Sequence, residues 1–154
     1  MTTIAVPYRT PIQSDTRMEL ICNMDIREYP ALTYDIHRDS WHSYRLGLQT
    51  FRDKIVKPCV AITLSNGASV VLTRTSRVLC HLNDNISQLY VTRKPFSISA
   101  ENLRVGMICV ADPSHRGMVY VDHVAPVEDL LVRHVEVCHT GTVCVSPGIV
   151  LSTS

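Results

Sequence analysis

The chain has 154 residues, enough for one domain with a real core. Apolar residues make up 45% and charged residues 19%, which excludes a disordered segment, and a net charge of +1 gives no reason to expect a nucleic acid or membrane partner. No apolar run approaches the roughly 20 residues of a membrane span, and the opening MTTIAVPYRTP lacks the charged-then-apolar layout of a secretory leader.

Thr3 to Tyr8 is expected to form a first strand, ended by Pro7 and Pro11. Arg17–Met24 suits a turn or two of helix, because Met18, Ile21 and Cys22 share a face at i, i+3 and i+4, with Asp15 or Thr16 as cap. Ala31–Ile36 is a strand and His37–Ser40 a turn; Ser43–Phe51 and Lys54–Leu64 follow as longer strands.

The clearest signal is VAITLSNGASVVLTRTSRVLC, Val60 to Cys80. Val60, Ile62 and Leu64 alternate, Asn66–Gly67 turns the chain, and Val70 and Leu72 resume the alternation. Asn-Gly between such runs predicts a two-residue type I′ hairpin, whose central positions both need φ > 0. A polar corner, Thr73 to Arg77, then leads into a strand over Val78–Leu82.

Asn83–Asn85 is a loop and Gln88–Thr92 a strand. Ala100–Leu103 reads as a single turn capped by Ser99, and Met107–Ala111 as a strand. Asp112–Gly117 is polar loop. Met118–Val127 is a strand broken by Pro126, Leu130–Val137 another, and Thr142–Val145 and Ile149–Leu151 close the chain around Pro147–Gly148. Many short strands, Gly/Pro/Asn turns and little helix argue all-β, with sandwich and barrel both open.

The six cysteines are Cys22, Cys59, Cys80, Cys109, Cys138 and Cys144. Nothing points to export, so free thiols in the cytoplasm are expected, with Cys59, Cys109 and Cys144 acting as small buried hydrophobes. Cys80–His81 and Cys138–His139 invite a zinc reading. Adjacent strand residues face opposite ways, however, and no C-x-x-C or H-x₃-H spacing is present. No cofactor motif is present either. His134, Glu136 and Cys138 fall on one half-exposed strand face, and His123 beside Asp122 reads as a satisfied structural histidine. Trp41, with His37, His42 and Tyr44 nearby, is either a recognition cluster or an aromatic covering the core edge. The scattered basic residues, Arg74 and Arg77 among them, argue against a nucleic-acid patch.

Three stretches resemble the Hint fold of inteins and hedgehog-type autoprocessing domains. The first is the Asn66–Gly67 hairpin followed by Thr73, which matches the family's Thr, while Ser76 stands where the family has His. The second is Ala100–Val110, whose Leu103 and Gly106 match an L-x-x-G-D corner, with Met107 replacing Asp. The third is Val132 to Ser154, where Val132, Val135 and Val137 fit the late strand and Gly148–Ile149 the closing Gly–Ile. The resemblance spans nearly the whole chain, with no inserted endonuclease and an N-terminal junction near Met1.

Family chemistry uses a first-position Cys or Ser, a Thr–His pair that polarises the preceding amide, a late His, and a terminal Asn that cyclises. The chain opens Met1–Thr2–Thr3, Gly141 falls near the late His, and Ser152 and Thr153 stand at the His and Asn positions. Thr153 has no carboxamide to form a succinimide. Thr73, Ser76, Ser152 and Thr153 are therefore vestigial positions, and no residue is assigned as catalytic.

The expectation is a non-splicing intein-like domain that binds another protein, with Trp41, Arg74 and Arg77 as candidate contacts and homo-oligomerisation open. The alternatives are residual self-cleavage built on Thr73, Ser76 and Thr2 or the Ser152–Ser154 tail, and a small metal-binding β protein. Family association points to a phage and hence a host cytoplasm.

Overall fold

The computed structural model describes residues 2–14, 18–21, 30–38, 40–45, 47–49, 55–81, 95–110, 119–137, 141–145 and 149–153. Among them the first strands are β1 (Thr2–Pro7), β2 (Pro11–Gln13), β3 (Met18–Leu20), β4 (Pro30–Asp35), β5 (Ser40–Arg45) and β6 (Gly47–Gln49). The hairpin and corner supply β7 (Ile55–Leu64), β8 (Ser69–Thr73) and β9 (Arg77–His81). The rest are β10 (Phe96–Ser99), β11 (Ile108–Cys109), β12 (Val119–Val137), β13 (Thr142–Val145) and β14 (Ile149–Ser152), with one 3₁₀ turn at Ala100–Asn102. No helix of the described residues is long and apolar enough to cross a membrane.

One sheet runs β3-β2-β13-β14-β9-β11-β12-β7-β8, with β1 and β6 also on β12 and β10 also on β9. β4 and β5 form a separate hairpin. All four residues of β13 and of β14 are buried, which accounts for their continuous apolar runs. Their two faces serve different clusters. Val143, Val145, Ile149 and Leu151 enter the main core with Ile62 and Leu72. Cys144 and Val150 turn the other way, onto Leu32 and Tyr34 of β4. The buried Thr142 hydroxyl ties the layers together: it donates to the Tyr34 carbonyl and accepts from the Tyr34 N–H, both at 2.8 Å.

The β7–β8 hairpin has the expected alternation, with Val60, Ile62, Leu64, Val70 and Leu72 all buried. Its turn differs from expectation. Leu64 N–H bonds the Ala68 carbonyl at 2.8 Å and Gly67 N–H bonds the Leu64 carbonyl at 3.0 Å. The loop is thus Ser65–Gly67, three residues with Gly67 at φ +85°, rather than a two-residue type I′ turn. Asn66 stabilises it by accepting the Ala68 N–H through its own side chain.

Other expectations are corrected. Met18–Leu20 is strand, not helix: it pairs with β2, and Ile21 N–H bonds the Thr10 carbonyl, so sheet partners take the backbone groups a helix would have used. Ser43–Phe51 is not one strand; β5 pairs with β4 while β6 pairs with β12. Pro126 does not break β12, which runs 19 residues with register shifts at Val121/His123 and Val127/Leu130. Among the described residues, β12 between these shifts is paired with β7 alone, so the missing proline N–H deprives no second strand. His123 and Asp122 are exposed beside the first bulge, not satisfied in a core. Ser99 sits at the N-cap of the 3₁₀ turn but makes no side-chain cap; its hydroxyl accepts from Arg77 instead.

Cys59, Cys80, Cys109 and Cys144 are buried free thiols. Burial pushes the Cys80 and Cys109 thiols up to about 12, which makes them packing groups rather than nucleophiles. The expectations for Cys22, Asn83–Asn85, Gln88–Thr92, Asp112–Gly117, Cys138–His139, Pro147–Gly148, Met1 and Ser154 lie outside the described residues.

Candidate functional site

The Thr73–Arg77 corner forms because β8 ends at Thr73, whose carbonyl accepts the Ser76 N–H at 3.1 Å before Arg77 opens β9. Four of its five residues line a cleft of about 290 Å³. The corner contributes Thr73, Thr75, Ser76 and Arg77; β14 and the residue after it contribute Ser152 and Thr153. Across from them lie Ile4 and Ala5 of β1, Lys57 of β7 and His134 of β12. Ala5 and His134 are direct cross-strand partners, so β1 pairing on β12 places them side by side.

At the cleft floor the Thr73 and Ser76 hydroxyls lie 2.6 Å apart. Ser76 also donates to the Ala5 carbonyl at 3.4 Å. Each hydroxyl has one proton, so the Ser76 proton serves Ala5 and the Thr73 proton serves Ser76. The result is a short relay of donors ending on one backbone carbonyl.

Thr153 is drawn in by its N–H bond to the Gly141 carbonyl at 3.0 Å. Gly141 sits at φ +68°, and a Cβ there would meet the Thr153 Oγ1 at 2.9 Å. A side chain at that position would therefore need both a strained backbone and a displaced Thr153.

Four of the residues singled out in the sequence, Thr73, Ser76, Ser152 and Thr153, share this cleft, and Arg77 lies at it too. Arg77 spends its guanidinium on β10: Nε donates to Ser97 Oγ at 3.0 Å, Nη1 to Ser99 Oγ at 3.2 Å and Nη2 to the Ser97 carbonyl at 2.9 Å. Arg74 and Trp41 do not line the cleft. Arg74 is half-buried behind the corner, with its N–H on the Pro58 carbonyl and its own carbonyl accepting from Glu101. Trp41 packs on Tyr34, ring centroids 5.0 Å apart, at the edge of the second cluster.

The residue of β1 that the corner touches is Ala5, four positions after Met1. Thr2 pairs with Val137, three strand positions and so roughly 10 Å from Ala5. That distance removes Thr2 from the relay.

Ala5, Thr75, Lys57 and His134 went unremarked as a site in the sequence. Lys57 did leave a signal, interrupting the alternating face of Ile55 and Cys59. His134 is half-buried, in keeping with the half-exposed strand face expected for it, but the sequence does not show that it lines this cleft.

Burial lowers the His134 pKa below its ordinary 6.5, and the Lys57 charge adds to the effect. The imidazole is therefore neutral at pH 7. The unfolded chain takes up this proton near pH 6.5, the folded chain only at lower pH. The stability linked to His134 is thus fully present above 6.5 and is lost as pH falls from there through the folded pKa. Imidazole NMR titration should give a value below 6.5 in the wild type and a higher one in Lys57→Gln; an unmoved value would remove Lys57 as a cause.

Among the described residues no three of His, Cys, Asp or Glu gather as a metal-ligand set. No protein-family model matches the sequence, and no curated protein matches it by sequence. Solved structures do match in shape. The DnaX mini intein from Spirulina platensis superposes with a TM-score of 0.70 at 17% identity, over 96% of this chain and 98% of that one. The chain has the Hint fold of the inteins. A bacterial intein-like domain from Clostridium thermocellum matches this Hint fold with a TM-score of 0.65 at 12% identity, over 99% of both chains. The Msm DnaB1 intein splicing domain, solved with zinc bound, matches at 0.61 and 16%, over 96% of this chain and 98% of that one.

Proposed function

We propose that this Hint-fold chain does not splice, and that it works by binding a segment of another protein in the Thr73–Ser76 cleft. The observation that carries the reading is what stands at the two reactive positions of that cleft. The β1 residue touched by the corner is Ala5, whose methyl group offers no attacking atom. The tail residue facing it is Thr153, which lacks the carboxamide that cyclisation needs. Gly141 stands near the position of the late histidine and is packed against Thr153, so the tail is held there by its backbone and Gly141 itself offers no proton carrier. What persists is a cleft of about 290 Å³, close to the size of the smaller ligand sites, with a donor relay at one wall that holds the chain's own Ala5 carbonyl.

A second reading, residual self-cleavage, draws on the neutral His134 imidazole beside the Ser76 and Ser152 hydroxyls. One experiment separates the two. A fusion with a reporter segment at each end is followed by intact mass spectrometry for several days. The expected result is one species at full mass. Loss of either segment, or joining of the two, would overturn the non-splicing reading in favour of the second. A tagged chain that brings down no protein from the cells that make it would overturn the binding half.

A further inference from the structure

We propose that the cleft takes a carboxylate of an extended peptide, with the Lys57 ammonium as its counter-charge. The inference rests on the reading that the cleft is a binding site, and it specifies the chemistry of the occupant.

The charge in the cleft is one-sided. Lys57 and Arg77 are at the cleft, and its described lining contains no Asp or Glu. Among the described residues neither cation is ion-paired: the ion pair there joins Arg38 to Asp35, on the β4–β5 hairpin. Arg77 has its donors on serine hydroxyls and a carbonyl, which satisfy its hydrogen bonds and leave its charge uncancelled. Lys57 is half-buried at the cleft, and a partly buried charge is screened less by salt than one on the open surface. The imidazole beside it is held neutral in part by that same charge. An anion in the cleft would therefore meet a positive field with no competing carboxylate from its described walls.

The rest of the lining selects the kind of anion. Thr75 and Thr153 line the cleft with hydroxyl-bearing side chains, and β1 and β8, which supply Ile4, Ala5 and Thr73 to it, each have a single ladder partner among the described residues, which suits an extended backbone. About 290 Å³ admits a chain end or one acidic side chain with its neighbours, and not a folded surface. The carboxylate could come from a free chain terminus or from an Asp or Glu side chain; both present the same two oxygens.

The test is an NMR titration of the isotope-labelled chain with five probes. These are acetate, a short peptide with a free α-carboxylate, the same peptide amidated, an amidated peptide carrying one Glu, and inorganic phosphate. The expected result is that carboxylate-bearing probes shift the Ala5, Lys57 and Ser76 amides while the amidated peptide without Glu does not. Comparison of the two carboxylate peptides tells terminus from side chain, and either preference supports the proposal. Lys57→Gln should weaken the better peptide roughly tenfold, the scale of a charge-assisted hydrogen bond, and Lys57→Arg should restore most of it, with circular dichroism showing both variants folded. Equal binding of the peptide without a carboxylate, an unchanged affinity in folded Lys57→Gln, no binding by any carboxylate, or tighter binding of inorganic phosphate would overturn it. Such a failure beside an intact fusion removes the carboxylate alone. A fusion that cleaves removes the non-splicing reading, whatever the peptides do.

Discussion

Leu151→Ala is expected to lower the unfolding free energy by about 2–5 kcal/mol. Leu151 is fully buried in β14, opposite Val143 on one side and Val78 on the other. It thus sits in the middle of the sheet and in the main core with Ile62 and Leu72. Truncation removes the burial of its branched end and leaves a void, because β13 and β9 are held in register by their own ladders and cannot collapse inward. For a chain of this length the melting temperature should fall by roughly 5–15 °C. The control is Val56→Ala. Val56 is 54% exposed on β7, and its loss should change stability by less than about 0.5 kcal/mol. Urea unfolding of both variants decides the matter. A Leu151→Ala effect no larger than that of Val56→Ala would mean that β14 is not inside the sheet.

What the sequence disclosed about this architecture was local. The β7–β8 hairpin is formed by residues close together in the chain, and its buried alternation is readable from Val60 to Leu72. Even there the turn was misassigned, since Asn66–Gly67 fits a two-residue loop as well as the last two positions of a three-residue one. Pro126 misled for a related reason. A proline forbids a donor, but whether that matters depends on which strands lie beside it, and that is set by β7, β1 and β11 far away in sequence. The Met18 stretch shows the same limit: three apolar residues at helical spacing were outweighed by β2 offering a ladder.

The candidate site was half legible for the same physical reason. Thr73 and Ser76 lie on one corner, and their spacing alone places both hydroxyls together. Ser152 and Thr153 could be placed by counting from the closing Gly–Ile. Ala5 could not, because its place depends on the register of β1 against β12: a shift of one residue would have presented Ile4 or Val6 instead. Lys57 arrives through the β12–β7 pairing, in which a bulge separates Val127 from Leu130 and resets which side chains share a face, and His134 through the pairing of β12 with β1. Of the two cations at the cleft, Arg77 thus comes with the corner itself, while Lys57 is brought in by a pairing that no short-range pattern discloses.

Thr73 and Ser76 should behave as a coupled pair in stability. Thr73 is 2% and Ser76 7% exposed, so water does not readily replace a lost partner. Ser76→Ala leaves the Thr73 hydroxyl buried without an acceptor and removes the Ala5 contact, and is expected to cost about 1–3 kcal/mol. Thr73→Val keeps the shape and removes only the proton given to Ser76, so its cost should be the smaller of the two. In the double variant both hydroxyls are gone and no orphan remains. Its cost should fall short of the sum of the singles by about 1–2 kcal/mol, read from urea unfolding as a double-mutant cycle. None of the three variants should alter the intact mass of the end-tagged fusion, because the proposed role of the pair is to hold the Ala5 carbonyl and not to attack it. A coupling below about 0.5 kcal/mol would mean that water serves each hydroxyl separately. The corner would then be an open, hydrated surface, and the relay onto Ala5 would not be what fixes β1 beside the tail.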